Sequence, residues 1–173
     1  TVRVNVKPVA DAPTIFVKNV ETKEDAENIQ EGTNKVALEL KVPSLSKDQT
    51  DKNNATGDSP ERNGEITLKF TNGNSLVSKA EGKNIPNTGA KLFYVTNAVE
   101  TDTGILIDSK NEKVTVILVK TSGKTDIDTT YHHSGTLPAK GGNVLYLTKS
   151  EYESLKIQHA EDNDTNIQIN IGV

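Results

Sequence analysis

The chain of 173 residues contains no Cys, Met or Trp, so neither a disulfide nor a thiolate metal site can stabilise its fold. Its net charge of −4, from 24 acidic and 20 basic residues, argues against nucleic acid as the main partner and is compatible with cation binding. No apolar run is long enough to span a bilayer and no signal-peptide pattern is present. We therefore expect no membrane insertion by this segment.

The N-terminus predicts a strand that runs into a stiff joint. Apolar and polar residues alternate from Val2 to Lys7, as in a half-buried strand. Pro13 fixes its own φ and favours an extended residue before it. Because no initiator Met is present, we interpret residues 1–13 as a linker strand and junction from a preceding module. Residues 14–173 are then a single β-sandwich module of a longer polypeptide.

Short β-type runs follow, separated by clusters of Gly, Asn, Asp and Pro. The predicted strands are Thr14–Val20, Lys35–Val42, Gly64–Phe70, Leu92–Val95, Gly104–Ile107, Lys113–Lys120, Val144–Thr148, Leu155–Gln158 and Asn166–Ile171.

Hydrophobic periodicity separates these strands into two kinds. Lys35–Val42 and Asn166–Ile171 alternate apolar and polar residues, which predicts one wet face for each. The run from Val114 to Val119 is apolar on both sides, which is typical of a central strand covered on both faces. Lys149–Leu155 is the one plausible helical turn, with Thr148 as N-cap and a Glu completing a capping box at position 151.

Many strands with polar turns and little helix predict an all-β fold, an immunoglobulin-like antiparallel β-sandwich. Two long polar segments do not fit a minimal sandwich: Ser44–Asn63 and Ser78–Lys91. Long segments of this kind are usually disordered or functional. Ser44–Asn63 contains acidic residues and turn-forming residues, so we expect it to be a long acidic loop that bound ions order.

Four groups of carboxylates are candidate calcium ligands, because calcium takes about six to eight hard oxygen atoms and tolerates irregular geometry. For any single group, a solvated acidic turn is the alternative. The groups are Asp11 with Glu31; Asp51 with Asp58 and Glu61; Glu100 with Asp102; and Glu161 with Asp162 and Asp164.

The last group copies the start of an EF-hand loop but not its remainder. Asp162, Asp164 and Asn166 have the required spacing. Ile167 occupies the position where the turn requires Gly, and Val173 stands where the bidentate Glu should be. An EF-hand is therefore excluded, and an acidic turn beside a strand remains.

Several segments, taken in order along the chain, resemble the tandem modules of giant RTX adhesins, bacterial surface proteins exported by type I secretion that include biofilm adhesins. The resemblance weakens between Ser78 and Lys91. The segments that carry it are Asn5–Ile15, the step Glu31-Gly32-Thr33, Gly57–Ile66, Leu145–Thr148, Leu155–Ile157 and Ile167–Ile171.

The resemblance implies a calcium-rigidified extender module that holds ligand-binding domains away from the bacterial cell surface. Its partners would be calcium ions and neighbouring modules of the same polypeptide, and we expect a monomer when it is isolated. Motif by motif, the resemblance implies ligand roles for Asp11, Glu31, Asp58 and Glu61. The chemistry of the acidic groups adds Asp51, Asp102, Asp162 and Asp164.

An enzyme is the first alternative class. His132 and His133 lie near Asp126, Asp128 and other polar residues, so parts of a triad or metal site are present. There is no nucleophile elbow and no His-Glu-x-x-His motif, and adjacent His residues on an extended segment point apart. We therefore expect no catalytic activity.

A ligand-binding module for a sugar or a peptide, in the same type of adhesin, is the second alternative. Carbohydrate sites normally offer an aromatic platform beside polar groups. The pair Phe93-Tyr94 and the lone Tyr131 are the plausible aromatic pieces. Ser78–Lys91 could carry such a site.

Overall fold

The computed structural model describes residues 14–19, 35–44, 64–71, 89–108, 111–128, 136–159 and 167–173. Within these ranges the chain forms eight strands and one short helix. The strands are β1 (Lys35–Ala37), β2 (Ile66–Thr71), β3 (Ala90–Thr96), β4 (Val99–Ile107), β5 (Lys113–Leu118), β6 (Val144–Leu147), β7 (Lys156–Gln158) and β8 (Gln168–Gly172), and the helix is α1 (Lys149–Glu153).

The strands form two four-stranded sheets. Sheet 1 has the order β1-β7-β3-β4, and sheet 2 has the order β6-β5-β2-β8. The prediction of an all-β fold is confirmed. The neighbouring strands pair antiparallel except β5 and β6, which are parallel, so the prediction of purely antiparallel pairing is wrong for this pair. A long connection separates β5 from β6, and parallel neighbours need such a connection to return the chain to the same end of the sheet.

Both sheets contribute to one hydrophobic core. Leu92 and Ile107 from sheet 1 and Leu68 and Phe70 from sheet 2 are fully buried members of the same cluster. The alternating apolar residues of these strands therefore turn one face of each sheet toward a shared interior.

Strand β5 is central in sheet 2 and is buried on both faces, as its sequence predicts. Val116 and Ile117 point to opposite faces, and both have no exposed surface. Ile117 lies beside Tyr146 of β6, whose hydroxyl donates a hydrogen bond to the carbonyl of Pro138. The segment around Pro138 therefore lies over the outer face of β5 and β6.

Of the first two predicted strands, Thr14–Val20 forms no strand in its described residues and Lys35–Val42 is shorter than expected. Thr14 forms an isolated bridge with Ser44, and residues 15–19 have no regular structure. The strand predicted over Lys35–Val42 pairs only as far as Ala37, because Glu39 has a left-handed φ of 52° that breaks the extended geometry. The predicted alternation of burial still continues through this segment.

Strand β4 begins earlier than predicted because β3 and β4 form a tight hairpin. Asn97 and Ala98 make its turn, with φ values of 49° and 60°. Positive φ at both central residues is the signature of a type I′ turn, which matches the twist of the flanking strands. Ala at the second position hides this turn from sequence inspection, since Gly is the usual residue there.

The predicted helical turn and its capping box are confirmed. The Thr148 side chain accepts a hydrogen bond from the Glu151 backbone N–H, and the Glu151 carboxylate accepts one from the Thr148 backbone N–H. These two bonds satisfy donors that a helix N-terminus leaves unpaired.

Candidate functional site

Of the eight residues predicted to bind calcium, Asp102 lies in the described ranges, as does Glu100 of the same acidic group. Within those ranges no three His, Asp or Glu side chains come together in an arrangement that could hold a metal ion. The other seven predicted ligands, and residues 131–133 of the enzyme alternative, lie outside the described ranges: Asp11, Glu31, Asp51, Asp58, Glu61, Asp162 and Asp164.

Asp102 lies at the start of an irregularity in β4. The pairing register shifts between Lys91 and Phe93 of β3, so β4 carries extra residues opposite Leu92. The Oδ1 atom of Asp102 accepts a hydrogen bond of 2.8 Å from the backbone N–H of Gly104. Bulges of this kind occur at sheet edges and redirect side chains.

Glu100, two residues earlier on the same strand, is engaged by lysines. Its carboxylate forms ion pairs with Lys35 and, at 3.2 Å, with Lys156. The hydrogen bond from Lys35 holds the pKa of Glu100 below its usual value, with Lys156 acting in the same direction and partial burial opposing them. Lys35 also lies 3.9 Å from the centre of the Phe93 ring, a cation–π geometry. Glu100 and Asp102 therefore have different surroundings.

A cleft of about 300 Å³ lies between β4 of sheet 1 and β6 of sheet 2. We call it the β4–β6 cleft. This volume is at the lower end of the range for small-molecule sites, which begins at roughly 300 Å³. Its walls are formed by Tyr94 of β3, by Asp102, Thr103 and Gly104 of β4, by Gly123, by the turn Lys140–Gly142, and by Val144, Leu145, Tyr146 and Leu147 of β6.

Glycines form part of this lining. The four glycines that have left-handed φ values in the described ranges all line the cleft. A Cβ atom built on any of them would have no neighbour within 4 Å. They therefore serve the path of the backbone rather than close packing. The Gly104 N–H donates to Asp102, and Gly141 exchanges two backbone hydrogen bonds with Val144. These glycines are Gly104, Gly123, Gly141 and Gly142.

A buried carboxylate bonds to a residue next to the cleft lining. Glu151 is 3% exposed and accepts hydrogen bonds from the Ser122 hydroxyl at 2.6 Å and from the Thr148 backbone N–H at 2.9 Å. Burial raises the pKa of Glu151, but hydrogen bonds from Ser122, Thr148 and Thr96 outweigh it and bring the pKa below its ordinary value. Ser122 precedes Gly123, so this network fixes the adjacent cleft wall.

Tyr94 is the aromatic residue that connects this network to the cleft. Burial raises the pKa of its phenol, and the negative charge of Glu151 raises it further. Its neighbour Phe93 lies under Lys35, so the sequence pair Phe93-Tyr94 does not form one aromatic platform.

Asp126 and Asp128, named for the enzyme alternative, have local partners. Asp126 accepts a hydrogen bond from the Thr121 hydroxyl, and Asp128 lies 3.7 Å from the ammonium of Lys149.

Comparisons of the chain with known protein families, with characterised proteins and with solved structures give no match. No helix in the described ranges has the length and apolarity that crossing a membrane requires. The class that the described structure defines is an all-β, two-sheet protein with a cleft between the edge strands β4 and β6.

Sequence reasoning identified two residues of this cleft: Tyr94 as an aromatic piece of a ligand site, and Asp102 as a calcium ligand. It missed the Lys140–Gly142 turn and Tyr146. The Gly141-Gly142 pair directly before an apolar run was a turn signal, but nothing in the sequence shows that this turn faces β4.

Proposed function

We propose that this chain is a calcium-rigidified extender module of a secreted bacterial surface adhesin, built as an immunoglobulin-like β-sandwich. The observation that supports it most is where the acidic groups fall relative to the sheets. The segment with Asp51, Asp58 and Glu61 joins β1 of sheet 1 to β2 of sheet 2. The segment with Asp162 and Asp164 joins β7 of sheet 1 to β8 of sheet 2.

Calcium bound in these segments would stiffen a molecule that has no disulfide. Carboxylates repel one another when no cation is present, and an ion removes that penalty and joins separate parts of the chain. Free calcium at tenfold the dissociation constant stabilises a folded protein by roughly 1.4 kcal/mol per site. Extracellular calcium modules bind with dissociation constants of about 0.1 to 1 mM, so a secreted protein in millimolar calcium would have its sites occupied.

Asp11 extends the proposal to the junction with a neighbouring module. It lies three residues before Thr14, which pairs with Ser44 at the start of the described structure. An ion held there by Asp11 and Glu31 would connect one module to the next and stiffen the array.

Calorimetric calcium titration of the chain and of two variants tests the proposed ligands. We expect Asp58→Asn combined with Glu61→Gln to remove at least one binding event. Asp126→Asn is the matched control, because it also removes acidic charge but its carboxylate is bonded to Thr121. Equal stoichiometry in the chain and in the double variant would exclude Asp58 and Glu61 as ligands.

A ligand-binding module of the same type of adhesin is the second candidate function, and the β4–β6 cleft is the observation that favours it. The cleft combines an aromatic side chain, a carboxylate and an ammonium. Ligand sites typically place a few polar groups in such a concave surface.

A further inference from the structure

We propose that the β4–β6 cleft binds an extended peptide segment, which adds as a new strand to the free edge of β4. This inference rests on the second candidate function and names the class of ligand. It does not involve the acidic residues on which the extender proposal rests. The main-chain groups of the edge would supply affinity, and the side chains of the cleft would select the peptide.

Among the described residues, no strand pairs with the outer edge of β4. Thr96 and Val99 close the two-residue hairpin turn, so the next pair, Val95 with Glu100, is a non-hydrogen-bonded pair. A hydrogen bond confirms that Val95 and Glu100 are not bonded to each other. The Val95 N–H donates to the Ser154 hydroxyl at 2.8 Å, on the side away from β4. The N–H and C=O groups of Glu100 therefore point away from β3.

The same alternation applies to Asp102, which pairs with Phe93 two positions further along. Its N–H and C=O also point to the outer edge, beside which no strand lies in the part of the chain that the structure describes. Among the described residues, no backbone group bonds to these edge groups of Glu100 and Asp102. Two consecutive edge positions are thus available to a peptide.

Strand β6, on the opposite wall, is also the outermost described strand of its sheet. It bonds to β5 through the carbonyls of Asn143 and Leu147, so the intervening even-numbered residues direct their backbone outward. Val144 uses its outward groups to bond Gly141, which closes the turn before β6. Tyr146 keeps its outward groups on the cleft side, with no backbone partner in the described ranges.

The side chains of the cleft favour a peptide over a sugar. Tyr146 is 6% exposed and its hydroxyl is bonded to Pro138, so it offers no exposed ring face. Tyr94 is half-buried, and a sugar would find little aromatic surface on which to stack. Two opposite charges, Asp102 and Lys140, line the same cleft and form no ion pair with each other. A peptide with one basic and one acidic side chain would complement both.

The first test uses a phage-displayed library of random 12-residue peptides against the full chain. We expect enrichment of peptides that carry both a basic and an acidic residue. A synthetic copy of the most enriched peptide, titrated into the isotope-labelled chain, should shift the amide resonances of Glu100, Asp102 and the Gly141-Gly142 turn.

Alternate N-methylation of that peptide tests strand addition without altering the protein. In a strand, every second N–H points to the partner, so methylating one alternating set should weaken binding at least tenfold. Methylating the other set should change affinity less than threefold. Equal effects of the two sets would overturn strand addition.

Lys140→Ala should weaken binding about threefold to tenfold, while Lys41→Ala, which removes an exposed lysine outside the cleft lining, should leave it unchanged. No enriched peptide, or shifts confined to residues outside the cleft, would overturn the inference. Glycan-array binding that maps to the cleft would also overturn it, yet would support the second candidate function. The calcium titration bears only on the extender proposal, so the two can fail separately.

Discussion

Two neighbouring regions of this molecule differ in whether their polar groups have hydrogen-bond partners. Around α1, the buried Glu151 carboxylate and the donors that face it satisfy one another. A few residues away, the β4–β6 cleft leaves strand edges and an ammonium without partners among the described residues. Internally paired polar groups fix a structure, whereas accessible ones can be satisfied by a ligand. The first region therefore stabilises the fold, and the second is where we propose that a ligand binds.

Removing the buried carboxylate should give the largest effect. Glu151→Ala deletes half of the capping box and leaves the Ser122 hydroxyl and the Thr148 N–H without an acceptor. We expect a loss of about 2 to 4 kcal/mol in the free energy of unfolding, measured by urea denaturation. Glu153→Ala, in the same helix, is the control. Its exposed carboxylate accepts one hydrogen bond, from the Val42 backbone N–H at 3.2 Å, so its loss should cost less than about 1 kcal/mol. Similar losses for both variants would remove the distinction between the two regions.

Replacing a glycine in the turn that lines the cleft should lower the stability less than Glu151→Ala does. Gly142 has a φ of 58°, and a Cβ there would meet no neighbour, so Gly142→Ala adds backbone strain without a clash. The expected loss is about 1 kcal/mol, from thermal or urea unfolding. Gly64→Ala is the comparison, because Gly64 has equal space and no left-handed φ. A stabilised Gly142→Ala variant would show that this turn is not held in the left-handed region.

Acidification should weaken the Glu151 network specifically. The folded-state pKa of Glu151 is lowered from its ordinary value of 4.5, so the unfolded chain binds this proton more readily. Its contribution is therefore fully present above about pH 4.5 and is lost as the pH falls through the folded-state pKa. Denaturation curves between pH 7 and pH 3 should show a steeper loss for the wild-type chain than for Glu151→Gln. Parallel curves would mean that other carboxylates dominate acid unfolding.

The exposed ion pairs of Glu100 should give the smallest effect. Glu100→Gln removes the charge that Lys35 and Lys156 share, at a site open to solvent. We expect a change of about 0 to 1 kcal/mol that shrinks further in high salt, measured by denaturation at two ionic strengths. A larger, salt-independent loss would indicate that this cluster supports the fold as Glu151 does.

Local chemistry explains which elements could be predicted from the sequence. The Thr148 and Glu151 spacing predicts the capping box because the two hydrogen bonds involve residues three apart. The apolar run from Val114 to Val119 predicts a strand buried on both faces because each face needs its own apolar residues.

Two local features could not be predicted because the sequence carries no signal for them. The Asn97-Ala98 turn lacks the usual glycine, and the left-handed φ of Glu39 does not interrupt the apolar and polar alternation around it.

Other features depend on segments that are distant in the sequence. The parallel pairing of β5 with β6 depends on the path of the connection between them. The cleft forms only when β4 and β6, in different sheets, come to face one another.

Thermal unfolding of the full chain in EGTA and in millimolar calcium tests the central claim most directly. The extender proposal predicts a higher Tm in calcium, by roughly 3 to 6 °C for each occupied site. Magnesium at the same concentration should give a smaller shift, since it prefers octahedral geometry and releases its water reluctantly. The same Tm in EGTA and in calcium would contradict the proposal.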